Sequence, residues 1–501
     1  MRHLVLFDTD RIQDYIFATT TLKEIRGASA LLDKMNRTLT PPLVKKYGGQ
    51  EIYLGGGAGA AWWEDIDRAR DFCAELTALY REKTITAGVT AHIQEQPDPK
   101  DFLGCLAKGE LFLRRRKEAK RREAPLVANP YFKVCELCGQ LPAVTSRRGF
   151  PETLVCTACD RRMRPSDDYK HSLVYQELEK ILEPDPVNYP DILEDIGAGS
   201  YPQGYLGLIY ADGNRMGQVR QAILQDAADP EGAYRLFSQA LDAATRQAMV
   251  RAVHQHLPFS PGQTYPVQFF ISGGDDVLAA VPAHMALPVA LAFCENFANF
   301  FENGLPGNGG QELVPAMGAK AAMSVGVALA KVNYPLHSLI KTAKELLKSA
   351  KRRAWEEWSQ DPTANPATVD FLSTSSSLLE PVEAQRQALE YDGVKLTCRP
   401  YSMAEAQTLL GGIAALKKSR FPRNKVVELG RALHRGRLQA CLDSLVLLSR
   451  LGNGEVDSPR QALLKVAQDF NLYCFPWRLT SRGQYETPLL DLVELYDFVA
   501  G

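Results

Sequence analysis

One order of elements occurs twice along these 501 residues, and it restricts the fold more than any other feature. Residues 2–8 are an apolar run that ends on acids. Residues 22–47 keep a helical period and are expected to break at Pro41-Pro42. Short strands at 51–55 and 59–63 flank a glycine-rich turn, and a helix at 66–83 and a strand at 87–94 follow. Residues 204–332 repeat the pattern: a strand at 205–211, a helix at 232–256, strands at 267–272 and 277–281 around a turn, a helix at 285–301 and a strand at 321–331. Residues 304–310 read as a Gly/Pro/Asn loop, and a further helix spans 337–353. This β-α-β-β-α-β order is that of a ferredoxin-like unit, so a duplicated α+β chain is expected.

The halves differ in their central turns. The first is Gly55-Gly56-Gly57-Ala58-Gly59 and the second is Gly273-Gly274-Asp275-Asp276. In a ferredoxin-like sheet the first and third strands lie side by side at the centre. Asp212, at the end of the apolar run YLGLIYA, should therefore meet Asp275 and Asp276 despite about sixty intervening residues. Carboxylates that close repel, and hard oxygen donors relieve the repulsion with magnesium or manganese. Two such ions can clamp the attacking and leaving oxygens of a phosphoryl displacement. Gly273 and Gly274 would let triphosphate oxygens approach the backbone. A plain hairpin turn uses the same residue types. The strand ending in Asp212-Gly213-Asn214 and the duplication favour the metal reading.

In the helix at 337–353, Leu339, Ala343, Leu346 and Ala350 form an apolar stripe, with Lys341, Lys344, Lys348 and Lys351 beside it. Two readings stand open, a solvated basic face and a triphosphate contact; Lys348 is the favoured contact for the β- and γ-phosphates. Cys135-x2-Cys138 and Cys156-x2-Cys159, seventeen residues apart, have zinc-ribbon spacing. Four thiolates make a closed structural zinc site; chance pairs or a redox dithiol are the alternatives. Arg114-Arg115-Arg116-Lys117 and Lys120-Arg121-Arg122 lie on an expected helix that either faces solvent or holds a phosphate backbone. His254 and His256 read as loop histidines, and Asp8 and Asp10 as locally hydrogen-bonded acids.

A net charge of −1 gives no sign of a globally basic nucleic-acid binder. No run approaches roughly eighteen apolar residues, so no membrane span is expected. The remaining six cysteines are scattered singly, as in reduced proteins, and the opening residues lack the long apolar core of a secretory leader. A cytoplasmic location is expected.

The segments FDTDRIQDYIF and LKEIRGASALL, the four-cysteine insert, YADGNRMG, SGGDD, and SVGVA leading into ELLKSAKR together resemble the polymerase-cyclase large subunit of type III CRISPR effector complexes. The resemblance covers residues 1–355 or so, and the second half is similar, more distantly, to the GGDEF-type palm of diguanylate cyclases. It implies four regions: a degenerate first palm at 1–100, a basic helix and zinc-ribbon linker at 101–200, a catalytic second palm at 201–355 and a mostly helical C-terminal domain at 356–501. It further implies ATP as substrate and cyclic oligoadenylate as product, made when target RNA is bound. Asp212, Asp275 and Asp276 would hold two Mg2+ or Mn2+ ions. Gly273, Gly274 and Lys348 would contact phosphates, Ser324 and Asn214 would lie beside the site, and Gly55, Gly56 and Gly57 would face the acceptor nucleotide. A bulky residue at Gly56 would then block the acceptor while leaving the metals in place. Nucleoside triphosphates, RNA and effector-complex subunits are the implied partners. Many family members begin with a histidine-aspartate nuclease domain; no adjacent His-Asp pair stands here, so DNA cleavage is not expected. Rival readings are a nucleic-acid-binding scaffold and a polymerase making longer chains.

Overall fold

The structure, a computed structural model, describes residues 2–96, 98, 100–120, 131–163, 172–307, 314–374, 380–451, 458–480 and 483–500. Strand β1 (Arg2–Asp10) is apolar on both faces because it sits between two layers. Val5 and Phe7 pack with the helices Leu22–Lys34 and Ile66–Thr84. Leu4 and Leu6 pack with Phe102, Cys105 and Leu106 of a helix on the other side, Phe102–Ala119. With β2 (Gln50–Gly55), β3 (Ala58–Trp63) and β4 (Gly88–Gln96), the sheet order is β2-β3-β1-β4, the ferredoxin-like arrangement.

The expected break at Pro41-Pro42 does not occur. A π-helical turn, Met35–Leu39, leads straight into a helix, Thr40–Lys46, with the prolines in its first turn. The Thr40 N–H reaches back five residues to the Met35 carbonyl, a wider turn set just before the two residues that lack an N–H. The Thr40 hydroxyl donates to the Met35 carbonyl at 2.8 Å across the junction.

A small insert follows, with β5 (Thr145–Arg147), β6 (Phe150–Val155) and the helix Thr157–Met163. The second unit has β7 (Tyr205–Gly213), the long helix Pro230–His256, β8 (Gln268–Gly273), β9 (Asp276–Pro282), the helix Ala283–Asn303, β10 (Met323–Lys331) and the helix Leu336–Gln360. Its order, β10-β7-β9-β8, repeats that of the first sheet strand for strand. The hairpins share a register as well, with Gly55 opposite Ala58 in one and Gly273 opposite Asp276 in the other. Gly-Gly-Gly-Ala in the first unit is therefore the structural counterpart of Gly-Gly-Asp-Asp in the second.

Leu339, Ala343, Leu346 and Ala350 are buried as the stripe requires. Gly326 lets that helix ride close on β10, since a Cβ there would lie 2.3 Å from the Ala343 carbonyl oxygen. The sheet continues past residue 355: β11 (Thr368–Ser373) joins β10 in parallel, and the short strand Tyr401–Ser402 closes that edge. The C-terminal helices, among them Met403–Lys418 and Arg423–Leu433, share the second unit's core. Among the described residues no helix is long and apolar enough to cross a membrane.

Candidate active site

Asp212 ends β7, and Asp275 and Asp276 form the far half of the β8–β9 turn beside it. Burial first, then the Asp212 carboxylate, pushes Asp275 up to about 6. Burial, followed by Asp212 and Asp275, pushes Asp276 up to about 7. Both shifts have the sign of crowded, under-neutralised acids. A cation already stands in part of the cluster: the Lys351 ammonium is ion-paired with Asp212 and donates to the Gly213 carbonyl at 3.1 Å. The donor set is all oxygen and suits Mg2+ or Mn2+. Among the described residues, however, only the four cysteines form a group of three or more candidate ligands whose donor atoms all lie within 4.8 Å of one another.

Ser324 and Asn214 do not present free groups to a nucleotide. Ser324 pairs across the sheet with Asp212 and is fully buried. Its hydroxyl donates to Asn214 Oδ1 at 2.8 Å and lies 2.9 Å from the Thr368 hydroxyl, while Asn214 Nδ2 donates to the Pro366 carbonyl at 2.9 Å. These bonds fix the end of β7, so both residues position Asp212. Gly274 differs from expectation in the same way: its N–H is bonded to Asp242 Oδ1 at 3.2 Å.

Asp242 belongs to a buried ion network that sequence reasoning missed. Its other oxygen is 2.6 Å from Arg246 and 2.9 Å from Arg37, Arg246 also reaches Glu177 at 2.7 Å, and Arg37 reaches Asp33 at 2.8 Å. Burial would raise Asp242, but Arg246, Arg37 and the Gly274 N–H together hold it down at about 2. A signal was present in the sequence, because Asp242 and Arg246 are an i,i+4 pair inside a stretch otherwise rich in alanine.

The two glycine turns touch. A Cβ on Gly56 would lie 2.9 Å from the Gly274 nitrogen, and one on Gly273 would lie 3.1 Å from the Gly56 Cα. This corrects the expectation that a bulky residue at Gly56 spares the metal ligands, because it would press on the backbone next to Asp275. A cavity of about 490 Å³ opens beside this contact, lined by Gly56, Gly57, Gly273, Asp276, Lys117 and Lys344 among others. Gly55 is buried, and a Cβ there would lie 2.9 Å from the Tyr53 hydroxyl. Lys348 is exposed on the same helical face as Lys344 and Lys351. Part of the basic stretch is ion-paired, with Lys117 of the helix on Asp8 and the exposed Lys120, just past its end, on Asp10 at 2.7 Å. Arg121 and Arg122 lie outside the described residues.

Cys135, Cys138, Cys156 and Cys159 fit tetrahedral zinc, with donor atoms clustered within 4.8 Å and three of the four buried. The insert is pinned to the helix Leu22–Lys34 by Arg147 on the buried Glu24 at 2.9 Å, and Arg162 stacks over Tyr15 at 4.6 Å.

The second unit is thus a ferredoxin-like sheet whose central hairpin carries two acids beside a first strand that ends near a third. Residues 205–357 match the family model described as Cas10/Cmr2, second palm domain. The whole fold is similar to crystal structures of Csm1. That of Csm1 in T. onnurineus has 15% identity and a TM-score of 0.59, over 99% of this chain and 69% of that one. The Csm1-Csm4 cassette in complex with one ATP has 14% identity and a TM-score of 0.55, over 100% and 70%. The cassette in complex with cA4 has 14% and 0.54, over 93% and 69%. No curated protein matches the sequence.

Proposed function

We propose that this protein is a nucleotidyltransferase that converts ATP into a cyclic or short linear oligoadenylate, a second messenger of type III CRISPR or related antiviral defence. The observation that carries this reading is the contact between two equivalent turns, one with carboxylates and one without, at the wall of a shared cavity. That asymmetry gives one donor and one acceptor site per chain. Asp212, Asp275 and Asp276 would hold Mg2+ or Mn2+; bound there, the ions would ease formation of a 3′-alkoxide and offset charge on the α-phosphate. The chain's own residues do the positioning. Ser324 and Asn214 fix Asp212, Asp242 fixes the turn through Gly274, and Lys344, Lys348 and Lys351 supply positive charge to the triphosphate. Gly56 and Gly57 leave the acceptor close to the backbone. In this reading the chain comprises two palm domains, a structural zinc ribbon and a C-terminal domain. The crystallised Csm1-Csm4 cassettes, including those with ATP and with cA4, support a nucleotide substrate and a Csm4-like partner subunit.

The test is incubation of purified protein with each nucleoside triphosphate and Mn2+, with products identified by mass. Small cyclic or short linear adenylates are expected. A long ladder would replace the reading with a polymerase, and no product, with or without target RNA and partner subunit, would replace it with a scaffold.

A further inference from the structure

The two units match in one more respect, which concerns their lysines. Lys351 lies fifteen residues beyond Leu336, the start of its helix, and Lys117 fifteen beyond Phe102. Each helix follows the fourth strand of its unit. Each lysine returns to the acid near the end of its unit's first strand and to the carbonyl of the next residue. Lys351 bonds Asp212 and the Gly213 oxygen at 3.1 Å; Lys117 bonds Asp8 and the Thr9 oxygen at 3.2 Å. Asp8 faces Ala58, the counterpart of Asp276, and Ala211 pairs with Val277, one step before Asp212 and Asp276, so Asp8 and Asp212 are equivalent positions.

The charges around these equivalent pairs differ. In the second unit Lys351 faces three carboxylates, leaving an excess of negative charge that a divalent ion would neutralise. In the first, Gly57 and Ala58 replace Asp275 and Asp276, so Lys117 balances Asp8 and Lys120 balances Asp10. Among the described residues this turn adds no carboxylate to that pair; burial, more than Asp10, is what raises Asp8, and Lys117 works against the rise. Lys117 also lines the cavity together with Asp8, Thr9, Gly56 and Gly57.

The geometry points to Lys117 as a resident cation of the first unit, holding the polyphosphate of one nucleotide without a divalent metal. Asp8 keeps the lysine in place when no nucleotide is there and competes with phosphate for it. The inference rests on the two-nucleotide reading proposed above.

Binding of a non-hydrolysable ATP analogue to the full chain, by equilibrium dialysis, tests it. With Mg2+ wild type should take up two nucleotides; in buffer free of Mg2+ and Mn2+ it should retain one. Lys117→Met should weaken that metal-independent site roughly tenfold or more, as expected for loss of a charge-assisted bond to phosphate, and Lys117→Arg should restore it. Asp8→Asn should tighten the same site, because the competitor for Lys117 is gone. A purely structural ion pair would instead give both variants the same sign. Loss of all binding without divalent ions, or an unchanged first site in Lys117→Met with its melting temperature intact, overturns the inference and leaves the two-nucleotide reading standing. If wild type binds no nucleotide even with Mg2+, the reading and the inference fall together.

Discussion

Gly56→Ala and Gly274→Ala make a matched pair that measures the contact between the two turns. Both glycines are left-handed, with φ of 59° and 61°. An alanine in that region costs about 1–2 kcal/mol in either place. Their surroundings are unlike. A Cβ on Gly274 would meet nothing within 4 Å, whereas one on Gly56 would lie 2.9 Å from the Gly274 nitrogen, 3.3 Å from its Cα and 3.4 Å from the Gly273 carbonyl carbon. These atoms are backbone and cannot swing aside, so relief requires the turns to part. Forcing a methyl into packed structure costs about 1–3 kcal/mol. Gly56→Ala should therefore be the less stable variant by that margin, although its residue carries no catalytic group. In a unit of this size each kcal/mol lowers the melting temperature by about 2–4 °C. Thermal unfolding followed by intrinsic fluorescence gives the comparison. Product formation should fall further in Gly56→Ala, because the displaced segment leads into Asp275 and Asp276. Equal melting temperatures and equal activities in the two variants would refute the turn-to-turn contact.

Three further outcomes are expected. The raised values of Asp275 and Asp276, about 6 and about 7, mean that the folded state binds extra protons from roughly pH 4 upwards. Their contribution to stability without divalent ions is therefore best at low pH and is lost as pH rises through 6–7. The wild-type melting temperature minus that of Asp275→Asn/Asp276→Asn should fall between pH 5 and 7.5, and a difference that rises would contradict the crowding of these acids. Lys351→Met should bind Mn2+ more tightly in the absence of nucleotide, because no ammonium competes for Asp212; weaker binding by titration calorimetry would show that the lysine does not occupy metal space. The purified protein should carry about one zinc per chain by elemental analysis, and Cys138→Ser should lose it and loosen the insert from the helix Leu22–Lys34. Full zinc content in that variant would argue against a four-thiolate site.

The sequence alone determined the elements and their repetition. Period-two and helical patterns are local properties, so both β-α-β-β-α-β runs, the knuckle spacing of the cysteines and the apolar stripe of Leu339, Ala343, Leu346 and Ala350 could be read directly. The meeting of Asp212 with Asp275 and Asp276 followed from strand order once the fold class was recognised. Other features depended on which side chains face each other across the fold. Pro41 and Pro42 start a helix because a π-helical turn delivers the chain to them in helical geometry. Ser324 and Asn214 turn inward because Thr368 and Pro366, from beyond the expected end of the second unit, bring partners to them. Asp242, Arg37 and Glu177 come from three separate segments, and no pattern within one segment predicts an ion network among them. Packing of the two units decided the contact of Gly56 with Gly274. Glycine reads as conformational freedom in any sequence, and only the neighbouring backbone shows that here the missing side chain makes room for the other turn.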